Sequence, residues 1–292
     1  MGVIGIGQMG KGMVKNLIKA GHTVYAYDPF PAAAEKGKEL GATVLGTPKE
    51  VAEKVEILLA SLPTTQAVYD AVTAALPGLK PGAVVCDMST TAVSVEKELY
   101  ELCKAKGVGY LDCPVSGGPT GAENATMSTM VGGDEEVFAK AKPIFEKIAG
   151  NIFYLGGIGT GQVMKMCNNI VLAVNTVAIA EAMATGVKAG LKAQTIFDIF
   201  KVSTANSKAL DLFGPNIVNN TYEKTIFACS HMHKDVSLFM GLTNDLKIPT
   251  FISAITQQLF NSAMKKGYGP QDMSAVAAII EEVADQKICG TE

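Results

Sequence analysis

Short apolar, β-branched runs alternate with amphipathic stretches through the first half of the chain. VIGI at 3–6, TVYAYD at 23–28, EILLASL at 56–62, AVVCDMS at 83–89, YLDCPV at 110–115, MSTMVGG at 127–133 and NIFYLGG at 151–157 have the length and side chains of strands. Between them, segments 8–20, 66–75, 92–106 and 135–149 space their apolar residues at helical intervals. Strands alternating with helices predict a mainly parallel sheet covered on both faces. The cluster Gly156, Gly157, Gly159 and Gly161 ends this pattern. From 162 onward the periodicity is almost wholly helical, first to about Gly190, then in shorter segments punctuated by Pro215, Pro249 and Pro270. The expectation is an α/β domain over 1–160 and an all-helical domain over 161–292.

Composition narrows the partners. A net charge of −3 and a pI of about 5.7 give no reason to expect a nucleic-acid or membrane-surface partner. Hydrophobic residues make up 48% of the 292, and the mean hydropathy is +0.24. The uncharged run Ile170–Ala180 is broken by Asn175 and falls short of the roughly 20 residues a bilayer needs. The apolar excess therefore predicts a large core and a subunit interface, with a homodimer or homotetramer as the assembly. Apolar residues followed by glycines begin at once, so no signal or transit peptide is expected ahead of the first strand. Cysteines 86, 103, 113, 167, 229 and 289 show no CxxC spacing and suit reduced thiols in the cytoplasm. All 25 basic residues are lysines.

Chemistry enters at the N-terminus. GVIGIGQMGKGM carries Gly5-x-Gly7-x-x-Gly10, with Gln8 and Met9 completing the turn, between a strand and a helix. A second strand ends at Asp28, 18 residues beyond Gly10. In such a unit the glycines let backbone approach a pyrophosphate and the helix N-terminus holds it, while the carboxylate accepts the adenosine ribose hydroxyls. A carboxylate at 28 repels a 2′-phosphate, and no arginine exists to bind one, so NAD is the expected coenzyme.

Ligands of open α/β sheets lie beyond the carboxyl ends of the strands. Three segments occupy such positions: Leu62-Pro63, the serine and threonines 89–91 with Thr90 central, and Ser116-Gly117-Gly118. The last can present a hydroxyl and bare N–H groups to a carboxylate. Further on, Lys165 is the single charge between Lys147 and Glu181, among Val163, Met164, Met166, Cys167, Ile170 and Val171. Apolar burial lowers a lysine pKa from about 10.4 towards neutrality, as proton transfer requires. Asn169 follows at i+4, on the same helical face. His231 and His233 alternate in HMHKD, but two histidines with no third ligand make a poor zinc site, and no metal is expected. Cys113 and Cys167 read as small packing residues.

GIGQMGKGM, DCPVSGGPTGA, GTGQVMKMCNN and HKDVSL, in that order, with Gly269-Pro-Gln-Asp-Met-Ser-Ala-Val near the end, resemble the β-hydroxyacid dehydrogenase family, the group containing 3-hydroxyisobutyrate dehydrogenase. The resemblance spans essentially the whole chain. It implies a Rossmann-type, doubly wound first domain and a helical second domain that commonly pairs with another subunit. It also implies NAD-dependent oxidation of a small 3-hydroxy acid to a semialdehyde or ketone, without a metal. Lys165 of Gly161-x-x-x-Lys165-x-x-x-Asn169 becomes the proton-transfer residue, and Lys234 faces nicotinamide and substrate. Three departures stand out: Cys113 where alanine is usual, VSLFMG after Lys234-Asp235, and STANSK at 203–208, where relatives place substrate-selecting side chains. The alternatives are a tartronate semialdehyde or 2-(hydroxymethyl)glutarate enzyme, a 6-phosphogluconate dehydrogenase, an imine reductase, and a non-catalytic NAD-binding module. A 6-phosphogluconate enzyme would have a longer helical domain and cationic groups for the phosphate, and an imine reductase would usually lack Lys165.

Overall fold

The computed structural model describes residues 1–289, which divide into two compact units, Met1–Lys165 and the residues from Met166 onward. In the first, β1 (Gly2–Ile4), β2 (Tyr25–Tyr27), β3 (Thr43–Val44), β4 (Ile57–Ala60), β5 (Val84–Asp87) and β6 (Gly109–Asp112) are parallel, in the order β3-β2-β1-β4-β5-β6. That is the doubly wound order in which the strand sequence reverses between β1 and β4. The short β7 (Val115–Ser116) and β8 (Met127–Gly133) follow. β8 runs antiparallel to both β6 and β7, and β9 (Ala149–Tyr154) runs parallel to β8.

The intervening helices are α1 (Gly10–Lys19), α2 (Pro31–Glu39), α3 (Pro48–Ala52), α4 (Thr65–Ala75), α5 (Val93–Ala105), α6 (Gly118–Glu123) and α7 (Glu135–Ile148). Thr47 and Thr64 open α3 and α4 by accepting the N–H of Glu50 and Ala67. Strand side chains alternate between the two faces. Val3, Leu59, Val84, Cys86 and Leu111 join one apolar cluster, whereas Ile4, Leu58, Val85 and Tyr110 join the other. Burial on both faces is why β4 and β5 read as continuous apolar runs.

The apolar pattern located the main strands to within a few residues, and missed α2, β3, α3 and the six-residue α6. Their concealment is physical: α2 buries only Gly37, and β3 has two residues with neither buried, so little apolar periodicity is required.

Helix α8 (Thr160–Lys188) starts in the first unit and continues into the second. By length and composition it could cross a bilayer. Its buried residues instead pack in two clusters of the second unit. Ile170, Ala173 and Val177 meet α11 (Cys229–Asp245) and α12 (Phe251–Lys265) residues such as Met232, Val236 and Phe260. Ala180, Met183 and Ala184 join the cluster holding Ile196 and Phe197 of α9 (Ala193–Val202), Leu210 and Ile217 of α10 (Lys208–Asn219), and Ala277 of α13 (Val276–Ala284).

Candidate active site

The turn from β1 into α1 shows what each glycine is for. Gly5 has φ +90°, and a Cβ there would press on the Ser61 carbonyl. A Cβ on Gly10 would collide with the carbonyl of Gly5. Both glycines therefore let the chain pack on itself. Only Gly7 faces open space, with nothing within 4 Å of a built Cβ. A fourth glycine, Gly12, lets α1 approach α6, since a Cβ would lie 2.6 Å from the Ala122 carbonyl. The sequence reading passed over it, although its GKG spacing directly extends the motif. No side chain caps α1, and its first turn holds no acidic residue. Its bare N-terminus and the space at Gly7 fit a dinucleotide pyrophosphate. Gln8 is exposed and accepts from Lys11 at 2.8 Å, and Met9 is half-buried at the N-cap.

Asp28 follows β2. Its carboxylate accepts the N–H of Ile6 at 2.7 Å and of Phe30 at 2.9 Å, which ties the glycine turn to the strand end. Each oxygen keeps a lone pair, so the ribose role and this structural one are compatible. Leu62 and Pro63 follow β4, and Thr90 follows β5. The Leu62 N–H donates to the Ser89 hydroxyl at 2.9 Å, which joins the two loops.

The start of α8 rests on buried polar groups of the same sheet edge. Asp112, the last residue of β6, accepts the N–H of Gly159 at 2.7 Å and of Gln162 at 2.8 Å. The Gln162 amide donates to Glu96 at 2.7 Å and to the Ser89 carbonyl at 3.0 Å, and accepts from the Thr91 N–H at 3.0 Å. Tyr110 donates to the other oxygen of Glu96 at 2.6 Å, and the Thr91 hydroxyl donates to Asp87 at 2.8 Å. Burial, partly offset by the two main-chain donors, lifts the Asp112 pKa to about 7. Burial and the neighbouring Asp87 push Glu96 well above the usual carboxylate range. One turn beyond Gln162, the Lys165 side chain is 8% exposed.

Ser116 ends β7 and is half-buried. Gly117 (φ +134°) and Gly118 (φ +65°) then open α6 in conformations that side chains rarely adopt, and a Cβ on Gly118 would meet nothing within 4 Å. Both are glycine for their backbone; the space beside Gly118 is open, whereas a Cβ on Gly117 would crowd Met127 at 3.3 Å.

In the second unit Asn169 is buried, and its amide donates to the carboxylate of Asp235, also buried. Asn168 donates to the Asn169 carbonyl oxygen at 2.8 Å. The other oxygen of Asp235 pairs with Lys234 at 2.9 Å. Asp235 thus links two residues singled out in the sequence, and the reading did not assign it that part. His231 lies against the Phe227 ring, and burial followed by the Lys234 charge holds its pKa below the ordinary value. His233 pairs with Asn261 at 2.8 Å. Cys113 is buried, and burial pushes its thiol pKa well up, as suits a packing residue. Cys167 is exposed on α8, contrary to the packing role expected: the position turns outwards between buried Met166 and Asn169. The 203–208 segment joins α9 to α10, where Ser203, Asn206 and Lys208 are exposed and Ser207 caps α10.

Comparison with known proteins gives two family matches: the NAD binding domain of 6-phosphogluconate dehydrogenase over residues 1–156, and the NAD-binding region of NADP-dependent 3-hydroxyisobutyrate dehydrogenase over 159–280. Mitochondrial 3-hydroxyisobutyrate dehydrogenase of Mus musculus is 33% identical over 97% of this chain and 87% of that protein. The 2-(hydroxymethyl)glutarate dehydrogenase of Eubacterium barkeri is 34% identical over 99% and 97%. Among solved structures, Mycobacterium tuberculosis 3-hydroxyisobutyrate dehydrogenase with L-serine superposes with a TM-score of 0.88 at 34% identity, covering 96% of this chain and 98% of that one.

Proposed function

The chain belongs to the β-hydroxyacid dehydrogenase family, and on that premise we propose that it interconverts a small 3-hydroxy acid and its semialdehyde or ketone, with Lys165 as general acid and base. The observation that carries the assignment to Lys165 is its position. A buried lysine stands one turn into a helix whose start is hydrogen-bonded to the carboxyl ends of β5 and β6, the edge where ligands of such sheets bind. NAD, bound at Gly5, Gly7, Gln8, Met9, Gly10 and Asp28 with Leu62, Pro63 and Thr90 alongside, supplies the hydride acceptor.

Everything else falls to side chains. As hydride leaves the hydroxyl carbon, the hydroxyl proton must leave too, and a neutral Lys165 amine accepts it. In the reverse direction the ammonium returns that proton to the oxygen. Ser116 and the N–H groups of Gly117 and Gly118 hold the carboxylate. Asn169 lies one turn after Lys165 on α8, so both project from the same side of that helix. Its Nδ2 carries a second hydrogen beyond the one given to Asp235, and that hydrogen supports a substrate contact.

Sequence identity does not select the substrate, because the two named relatives are equally similar. Side-chain chemistry favours a monocarboxylate such as 3-hydroxyisobutyrate. Without arginine there is no bidentate clamp for a second carboxylate, and Lys234 is already paired with Asp235. Glycerate, the reduced form of tartronate semialdehyde, is the close competitor, and 2-(hydroxymethyl)glutarate the dicarboxylate alternative. Steady-state kinetics on these three acids in both directions with NAD(H) tests the reading. A preference for the dicarboxylate would overturn the substrate, and NADH binding without turnover of any acid would overturn the reaction.

The helical unit leaves Val202, Phe251, Ile252, Ile255 and Val283 at least 65% exposed. That apolar surface supports a homodimer or homotetramer built on these helices. Sedimentation as a monomer at micromolar concentration would contradict it.

A further inference from the structure

Asp112, Gln162 and Glu96 belong neither to the dinucleotide turn nor to the groups placed on the substrate, yet all three are completely buried. Burying carboxylates costs stability, and apolar residues of the same volume commonly do as well or better for folding alone. Here the chain is also cleared for one of them. A Cβ on Gly132 would strike the Asp112 carboxylate, and one on Gly161 would press on it at 2.8 Å and on the Asp112 carbonyl at 2.7 Å. What Asp112 receives in return is both ends of one helical turn, the N–H groups of Gly159 and Gln162. Gln162 then uses its side-chain oxygen and nitrogen on Thr91, Ser89 and Glu96, which fixes the same turn against the segment following β5 and against α5.

We propose that Asp112 and Gln162 are positioning residues for proton transfer, which fix the first turn of α8 and thereby the direction in which Lys165 presents its amine. A helix advances 100° per residue, so a small rotation of its first turn carries the amine through an arc. Misplacement of a reacting group by about 1 Å can cost on the order of a hundredfold in rate. Held at both ends of the turn by one carboxylate and laterally by one amide, α8 has no such freedom at Lys165. Burial raises the Asp112 pKa to about 7, and the two donors it seats keep it below what burial alone would impose.

This inference rests on the role proposed for Lys165, and its test separates the two. Asp112→Asn keeps the shape but leaves one seated N–H without an acceptor. Gln162→Met keeps the main-chain bond to Asp112 and removes the lateral bonds. Each variant is compared with wild type by NADH fluorescence titration and by hydroxy-acid kinetics. The expected result is NADH affinity within about twofold, KM within about threefold, and kcat lowered by about ten- to a hundredfold. If Asp112→Asn does not fold, Gln162→Met decides by the same criteria. A folded variant with kcat within twofold of an active wild type would overturn the seat and leave the proposed reaction standing, as would NADH affinity falling in step with kcat. A wild type that turns over none of the acids would overturn both.

Discussion

The turn from β1 into α1 is made of glycine, and the turn into α8 is seated on buried carboxylates, although both adjoin the carboxyl edge of one sheet. At the first, side chains are removed so that main chain packs on main chain at Gly5 and Gly10 and leaves Gly7 open. At the second, Asp112 and Gln162 occupy the interior and bind the helix start. On the roles proposed above, the difference follows from what each must do. A phosphate needs bare N–H groups and room. A general acid and base needs one fixed direction, and hydrogen bonds with angular preference supply it.

The largest expected effect breaks the first turn in two distinct ways. Gly10→Ala should lower the melting temperature by roughly 10 °C, because its methyl group has only the Gly5 carbonyl to displace. Gly7→Val should melt within about 2 °C of wild type while weakening NADH about tenfold or more, since its side chain enters only open space. Thermal denaturation and fluorescence titration of the pair would contradict the account if both variants lost stability or both kept affinity.

Asp28 sharpens the same turn. NAD(H) should exceed NADP(H) by at least about tenfold in kcat/KM, about 1.4 kcal/mol. Equal use of the two coenzymes would show that lysines compensate for the carboxylate.

The carboxylate seat should reveal itself through pH. Asp112 rises from an ordinary 3.8 to about 7 on folding, so between those values the folded chain holds a proton that the unfolded chain has released. The stability this contributes is fully present below about pH 4 and is lost as pH rises through about 7. Glu96, raised in the same direction beside Asp87, adds to the trend. Denaturant midpoints should therefore fall between about pH 5 and about pH 8, and Asp112→Asn should flatten that slope. An unchanged slope in the variant would assign the trend to other groups.

Ser116→Ala and Asn169→Ala should have the smallest effects, a few-fold each and mainly on KM, because each removes one hydrogen bond among several. A large fall in kcat for either would move it into the proton-transfer machinery.

The two turns also differ in how far the sequence discloses them. Glycines at 5, 7 and 10 between a strand and a helix, with Asp28 at the next strand end, lie within 24 residues and share one physical purpose. Lys165 was conspicuous because it interrupts an apolar stretch. The seat draws on Asp87, Glu96, Asp112 and Gln162 from four separate segments, and nothing local marks them. Glu96 sits in an ordinary amphipathic helix, and Asp112 reads as the polar end of a strand. Their association follows from the order of the strands, which places β5 beside β6. Asp235 escaped for a related reason: as the neighbour of Lys234 it reads as a simple ion-pair partner, and its bond to Asn169 spans 66 residues.

Lys165→Met offers the most direct test of the central claim, because it removes the amine while keeping an apolar stem of similar length. The account predicts a folded protein that binds NADH as the wild type does and loses about a hundredfold or more in kcat on the hydroxy acid. A Lys165→Met enzyme that turns over within a few-fold of wild type would contradict it.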